Sequence, residues 1–383
     1  MKTGATEGFT KVPRLQPEAG ERVLVAMSGG VDSSVAAALL AEAGTEVIGV
    51  SMRLAPDSRP GMSSGCCSLE DFRDAGRVAA RIGVPHYVFD MREEFEHGVV
   101  RPFVAEYLAG RTPSPCILCN REIKFGLLRR KAAELGARWI ATGHYARRVH
   151  RDGAWRLLRA RYEAKDQSYF LFELGQAELA HTLFPIGDMT KEDVRAKAAR
   201  LGLGVAEKPE SQEICFVPDG RYAEFVERAS GRELRAGAIV DEEGQELGHH
   251  AGVHRFTVGQ RRGLGIAAAE PLYVKRIDAQ LARVTVVPRA ALGVGAFRAE
   301  QASWVSGHPE PRGSALSVRI RHKHTPVAAR VYAEASGRVS VELTDPQEGV
   351  SPGQAAVFYR GDEVIGGAWI TSAVEREEAA ACG

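Results

Sequence analysis

Two short runs hold the residues best suited to chemistry. The first is "SGGVDS", Ser28 to Ser33, which follows the apolar run "VLVAM". Its glycines let backbone approach an anion closely, and a helix opening around Asp32 offers unpaired N–H groups and a positive dipole end. Ser28 and Ser33 add hydroxyl donors, and Asp32 can cap the helix or hold a magnesium ion. A G-x-x-x-x-G-K-[ST] loop is absent, which argues against a kinase-like or GTPase-like phosphate site. The second run is "GRTPSPCILCNREIKFG", a C-x-x-C pair of Cys116 and Cys119 between a proline pair and basic residues. That spacing serves half a zinc site, a redox pair, an iron–sulfur ligand set or a nucleophile with its helper. Cys215, in "EICFVPDG", is by default a small buried hydrophobe.

The elements that must position these residues follow from periodicity. From Glu21 to about Ile214, apolar strands alternate with amphipathic helices: "RVLVAM", "SSVAAALLAEAG", "EVIGVSM", "LEDFRDAGRVAARIG", "HYVFDM", "KFGLLRRKAAELG", "WIATGHY". Gly44, Gly83, Gly136 and Gly202 stand where helix C-caps belong. The pattern predicts an α/β fold, a doubly wound parallel sheet whose ligands sit at the carboxyl ends of the strands. Met52, ending the second strand, and Gly143, ending a later one, would then lie beside the Ser28–Ser33 loop. His144 reads as a hydrogen-bonded structural histidine. After Gly220 a helix "RYAEFVERAS" leads into glycine-rich segments with short strands. From about Phe297 strict alternation predicts a small all-β domain. The expected division is a disordered polar tail over 1–20, a nucleotide-binding domain over 21–218, a central domain over 219–292, an all-β domain, sandwich or β-barrel, over 293–374 and a tail over 375–383.

A chain of 383 residues exceeds one ordinary core, and 44% hydrophobic with 26% charged residues is the balance of a soluble globular protein. No run resembles a signal peptide or a membrane helix, so a cytoplasmic setting without membrane contact is expected. There the six cysteines are poor candidates for structural disulfides, and Cys66, Cys67 and Cys382 read as spectators. Net charge is only +1, yet Asn120 to Asp166 carries thirteen Lys/Arg against five Asp/Glu. That run reads either as a solvated face or as a footprint for phosphates.

The order S-G-G-V-D-S after a first strand resembles the loop of the ATP-pyrophosphatases, which cleave ATP to AMP and pyrophosphate. Six segments in sequence, "AMSGGVDSSVAAALL", "GRTPSPCILCNREIKFG", "ATGHYAR", "AKDQSYFL", "KPESQEICFVPDG" and "HRFTVGQRRGLGI", together resemble the tRNA-specific 2-thiouridylases. The likeness runs from Arg22 to about Ser372. It implies that Ala26, Met27, Ser28, Gly29, Gly30, Val31, Asp32, Ser33, Met52 and Gly143 bind ATP, with Mg2+. It implies that Cys119 and Cys215 are catalytic, with Cys215 carrying sulfur as a persulfide. Lys165, Asp166, Gln167, Arg321 and His322 would touch tRNA, and Ser114, Pro115 and Cys116 would stand beside the target base, the wobble uridine of the anticodon arm. A sulfur donor such as a cysteine desulfurase or a relay protein is implied as partner.

One departure bears on mechanism. Many relatives place an aspartate in the tripeptide where this chain has Ser114-Pro115-Cys116, so the carboxylate is lost and a third thiol gained. Two routes then fit: a persulfide on Cys215 resolved by Cys119 through a disulfide, or a [4Fe–4S] cluster on Cys116, Cys119 and Cys215. Arg121 and Lys124, if near Cys119, would favour its thiolate. Rival readings are another ATP-pyrophosphatase, either a different tRNA thiolase or a nitrogen-transferring synthetase, and a non-enzymatic tRNA-binding or iron–sulfur scaffold.

Overall fold

The computed structural model describes residues 16–54, 68–209, 214–217, 220–231, 233–334 and 336–374. Cys66, Cys67 and Cys382 lie outside them. The first third is the expected α/β layer structure. Strands β1 (Arg22–Ala26), β2 (Glu46–Arg53), β3 (His86–Asp90) and β4 (Trp139–Thr142) alternate with helices, among them α1 (Val31–Glu42) and α2 (Leu69–Arg81). Gly44, Gly83, Gly136 and Gly202 all take positive φ at helix ends, as expected of C-caps.

Two further strands form a hairpin, β5 (Ala146–Arg151) and β6 (Ala154–Arg159), and a short β7 (Thr182–Leu183) completes the parallel sheet in the order β3-β2-β1-β4-β7. Because β1 is central, its carboxyl end opens onto the Ser28–Ser33 loop. Apolar side chains pack on both faces of this sheet, including Leu24, Ile48 and Val50 on one and Val23, Val25 and Trp139 on the other.

The hairpin turns at Asp152-Gly153, both at positive φ, which is the backbone a two-residue turn of matching twist demands. It does not join the parallel sheet. Leu158 and Leu157 pair with Glu363 and Val364 of the last strand, so the hairpin extends the C-terminal sheet. That sheet closes on itself through pairing of strands Val294–Trp304 and Glu363–Val374, making a six-stranded barrel with its own apolar interior. Between the two lies a four-stranded sheet of Gly237–Val240, Glu246–His250, Leu272–Asp278 and Arg283–Pro288, preceded by the helix Tyr222–Ser230.

Much of the basic run is spent on this assembly. Arg147 binds Asp362 at 2.7 Å and Arg156 binds Glu363 at 3.2 Å, fastening the hairpin to the barrel's last strand. Arg148 lies between Trp139 and Trp155, 5.2 and 4.2 Å from the ring centroids, and its burial brings the guanidinium pKa down to about 10. The footprint for phosphates expected of Asn120–Asp166 is therefore corrected for these residues, which hold domains together. No described helix is long and apolar enough to cross a membrane.

Candidate active site

The loop after β1 is built as its composition requires. Gly29 has φ +75°, and a Cβ there would come within 2.8 Å of Asp71 Cα, so α2 forbids a side chain. Gly30 is the N-cap of α1, and its carbonyl accepts the hydroxyls of Ser33 and Ser34 at 3.2 and 2.8 Å. Ser28 N donates to Ser33 Oγ at 3.2 Å. Ser33 is thereby buried within the loop's own network, whereas Ser28 is exposed. The loop borders a cleft of about 210 Å³ lined by Ser28, Gly30, Val31 and Asp32 on one side and by Tyr145, Lys165, Gln167, Lys191 and Lys208 on the other. Ala26, Met27, Gly29 and Ser33 are buried and do not line it, and neither does Met52, which is half-buried against the large apolar core.

Three expectations change here. Asp32 does not cap α1, which has no side-chain cap. Its carboxylate instead receives Lys191 Nζ at 2.8 and 2.9 Å and the Tyr145 hydroxyl at 2.9 Å. With Asp32 neutralised by Lys191 and Asp71 by Lys208 at 2.8 Å, the acidic groups of the cleft do not form a magnesium-ready set. Gly143 answers to packing: a Cβ there would lie 2.5 Å from Ser33 N and 2.7 Å from Asp32 C. It lets β4 press against the start of α1, so its small size serves the loop's backbone directly.

Lys191 and Lys208 were not legible as site residues. Lys191 opens the helix Lys191–Arg200, whose Thr190–Asp193 capping box is complete. A cation in a helix's first turn opposes the helix dipole, and that mismatch is the one signal the sequence held. Lys208 binds Asp71 and Asp74 at 2.8 and 2.6 Å. Burial alone would depress its pKa, but the two aspartates outweigh burial and hold it above the ordinary lysine value.

Thr112, four residues before Cys116, sits at a junction of all three domains. Thr112 N donates to Pro352 O at 2.8 Å, Ser351 Oγ to Thr112 Oγ1 at 3.2 Å, and Gln354 Nε2 to Thr112 O at 2.9 Å. Thr112 Oγ1 also reaches Thr257 Oγ1 of the central domain at 3.3 Å. A helix starts at Pro115 and widens to π-type turns over Cys119–Leu127. This leaves Cys116 exposed and Cys119 buried, with Ser114 and Pro115 buried as well. Only Cys116 of the tripeptide expected at the target base is exposed. Asn120 anchors the helix by donating to Phe170 O at 3.0 Å. Arg121 binds the buried Glu173 at 3.1 Å; burial pushes that carboxyl's pKa up, and Arg121 pulls it partly back.

Cys119 belongs to the large apolar core against which Ile214, Cys215 and Phe216 pack. Phe216 meets Phe95 and Phe103 edge-on, with centroids 5.5 and 5.1 Å apart. No disulfide joins the three cysteines. Among the described residues no three His, Cys, Asp or Glu side chains converge to hold a metal ion. Cys116, Cys119 and Cys215 thus do not fit a [4Fe–4S] cluster as placed: one points to solvent while another is core.

The segments expected to touch tRNA divide. Asp166 is a correction: its carboxylate is fully buried, accepting Ala160 N at 3.0 Å, Ser168 N at 3.2 Å and Arg319 Nη1 at 3.2 Å. His322 is half-buried against Phe170, centroids 4.4 Å apart. Lys165 and Gln167 line the loop's cleft, and Gln167 Oε1 accepts Tyr145 N at 3.0 Å. Arg321 is exposed, with one amino group on Glu348 O at 2.9 Å. His144 is buried and bonded to Thr142 Oγ1 at 2.8 Å; burial, reinforced by Lys124, drives its pKa well below the usual value, so it stays neutral.

Three family models match consecutive parts of the chain: a tRNA methyl transferase HUP domain over 21–219, a tRNA methyl transferase PRC-barrel domain over 223–288 and an aminomethyltransferase beta-barrel domain over 294–370. The tRNA-specific 2-thiouridylase MnmA of Geotalea uraniireducens is 53% identical over 365 residues, 94% of this chain and 97% of that one. The protein of that name from Geobacter metallireducens is 51% identical over 364 residues, 93% and 98% of the two chains. Among solved structures, a 4-thiouridine synthetase–RNA complex with bound ATP matches at 17% identity, covering 54% of this chain and 50% of that one, with a TM-score of 0.35.

Proposed function

This chain belongs to the tRNA-specific 2-thiouridylase family, and from that premise we propose that it uses ATP to place sulfur on C2 of the wobble uridine of tRNA. The observation that carries the reading is the placement of Cys119 and Cys215 on one core, in the domain that also holds the glycine loop and its lysine-lined cleft. The family models' description speaks of methyl transfer, but Cys119 in the large apolar core and Cys215 packed against it supply the two thiols that sulfur transfer by thiol exchange uses.

ATP enters as substrate. Ser28, Gly30 and the start of α1 cradle its phosphates, and Lys165, Lys191 and Lys208 supply the opposing charge. The uridine O2 attacks the α-phosphate, and pyrophosphate leaves. The adenylated oxygen is now a good leaving group. A persulfide carried on Cys215, loaded by a cysteine desulfurase or a relay protein, attacks C2 with its terminal sulfur, and AMP departs. The base is then joined to Cys215 through a disulfide. Cys119 thiolate attacks the Cys215 sulfur, the thiolated base leaves with the electron pair, and a Cys119–Cys215 disulfide forms. An external dithiol, as the cytoplasm supplies, restores both thiols. No step is assigned to a metal ion or cluster.

The target base must leave the anticodon stack to reach the half-buried Cys215 and the buried Cys119, and the anticodon arm would meet the exposed Cys116 and Arg321. The test is mass spectrometry of nucleosides from tRNA incubated with protein, ATP, magnesium and a persulfide donor. 2-Thiouridine in wobble-uridine tRNAs is the expected product. Thiolation elsewhere in tRNA, or ATP cleavage coupled to amide formation, would move the chain to another ATP-pyrophosphatase activity.

A further inference from the structure

Lys191 is nearly buried, its side chain 8% exposed, and both of its contacts to Asp32 are of full hydrogen-bond length. Asp32 is more open, at 30%, and borders the cleft with Ser28 and Gly30. The capping box at Thr190 and Asp193 fixes the backbone that presents Lys191, while Tyr145 fixes Asp32 from the other side. Tyr145 is itself held by Gln167 through both N–H and C=O. A cation at a helix start gains nothing from its own helix. Asp32, which it binds, stands at the mouth of an anion loop, and an anion entering that loop competes with this aspartate for the ammonium.

Resting on the ATP reading above, we propose that Lys191 is a partner-exchanging pyrophosphate ligand: Asp32 holds it until a polyphosphate enters the cleft, whereupon its ammonium passes to a phosphate oxygen. The exchange makes Asp32 a built-in competitor of pyrophosphate. Entry of a chain with two or more phosphates repels Asp32 and attracts Lys191 together. A nucleoside monophosphate that does not reach this end of the cleft would leave the pair intact. The device therefore discriminates by phosphate number, and it weakens the hold on the pyrophosphate product because Asp32 competes to take Lys191 back.

The competition makes the two partners' variants act in opposite directions. Inorganic pyrophosphate, ATP and AMP are titrated by calorimetry into the full-length protein without magnesium. Lys191→Met is expected to weaken pyrophosphate and ATP by about tenfold or more while leaving AMP unchanged. Asp32→Asn is expected to tighten pyrophosphate several-fold, because the aspartate no longer competes for the ammonium. Thermal melts accompany each titration, and Lys191→Arg serves as the charge-preserving variant, expected to retain pyrophosphate binding. Pyrophosphate binding that Lys191→Met leaves unchanged, or that Asp32→Asn and Lys191→Met weaken alike, would overturn the exchange while the thiolation assay still stands. Wild-type protein that binds no pyrophosphate would overturn it together with the ATP reading.

Discussion

Arg319 of the barrel places Nη1 3.2 Å from Asp166 Oδ2 of the nucleotide domain, with side chains 9% and 0% exposed. The segment expected to contact tRNA is thus part of a domain seam. Removing one partner of a buried pair strands the other charge, which costs about 3–5 kcal/mol. Asp166→Ala should lower the urea midpoint by a corresponding amount. Loss of tRNA affinity at unchanged stability would contradict this placement.

Gly143→Ala inserts a methyl where backbone atoms of Asp32 and Ser33 already lie within 2.7 Å. Overpacking of this kind costs about 1–3 kcal/mol. Because the displaced atoms are the start of α1, ATP affinity should fall along with thermal stability. Stability lost with nucleotide affinity intact would show that the loop tolerates the shift.

Burial holds His86, His144, His181, His250, His322 and His324 below the ordinary imidazole pKa. Unfolded, each titrates near 6.5. Below that pH the unfolded chain binds protons that the folded chain refuses, so stability falls as pH falls. The melting temperature should drop between pH 7.5 and pH 5.5, and His144→Gln should make the dependence shallower. A stability flat across that range would reject the buried neutral assignment.

The thiols should separate by role. Cys119→Ser and Cys215→Ser are expected to lower 2-thiouridine formation by about 10³-fold or more, as loss of a nucleophile does. Cys116→Ala, altering an exposed side chain outside the shared core, should keep most of the turnover with a persulfide donor. Equal loss in all three variants would favour the three-thiolate cluster over the disulfide route.

The α/β domain was legible because its strands and helices carry their periods locally and its helix ends carry glycine. The Ser28–Ser33 loop was legible for the same reason. The hairpin of β5 and β6 is different: "RDGAW" holds a two-residue turn signal, but nothing nearby says that its partner strand lies beyond residue 360. Lys191 was hidden likewise, since its partner Asp32 is 159 residues away. Asp166 shows the converse error. The family resemblance implies that it touches tRNA, and only the fold reveals Arg319, 153 residues on, bound to its buried carboxylate.

The hairpin's membership of the barrel sheet has a mechanical meaning. A chain can swing one domain about a linker only where no sheet is continuous across it, and here β6 is hydrogen-bonded to the barrel's last strand. The first and third domains are therefore geared together, with the loop and the barrel segment that clamps Thr112 on the same rigid frame. The middle domain packs on that frame too, through Thr257, through Ile277 beside Gly110, and through Tyr222, Phe225 and Val226 of its helix in the large apolar core.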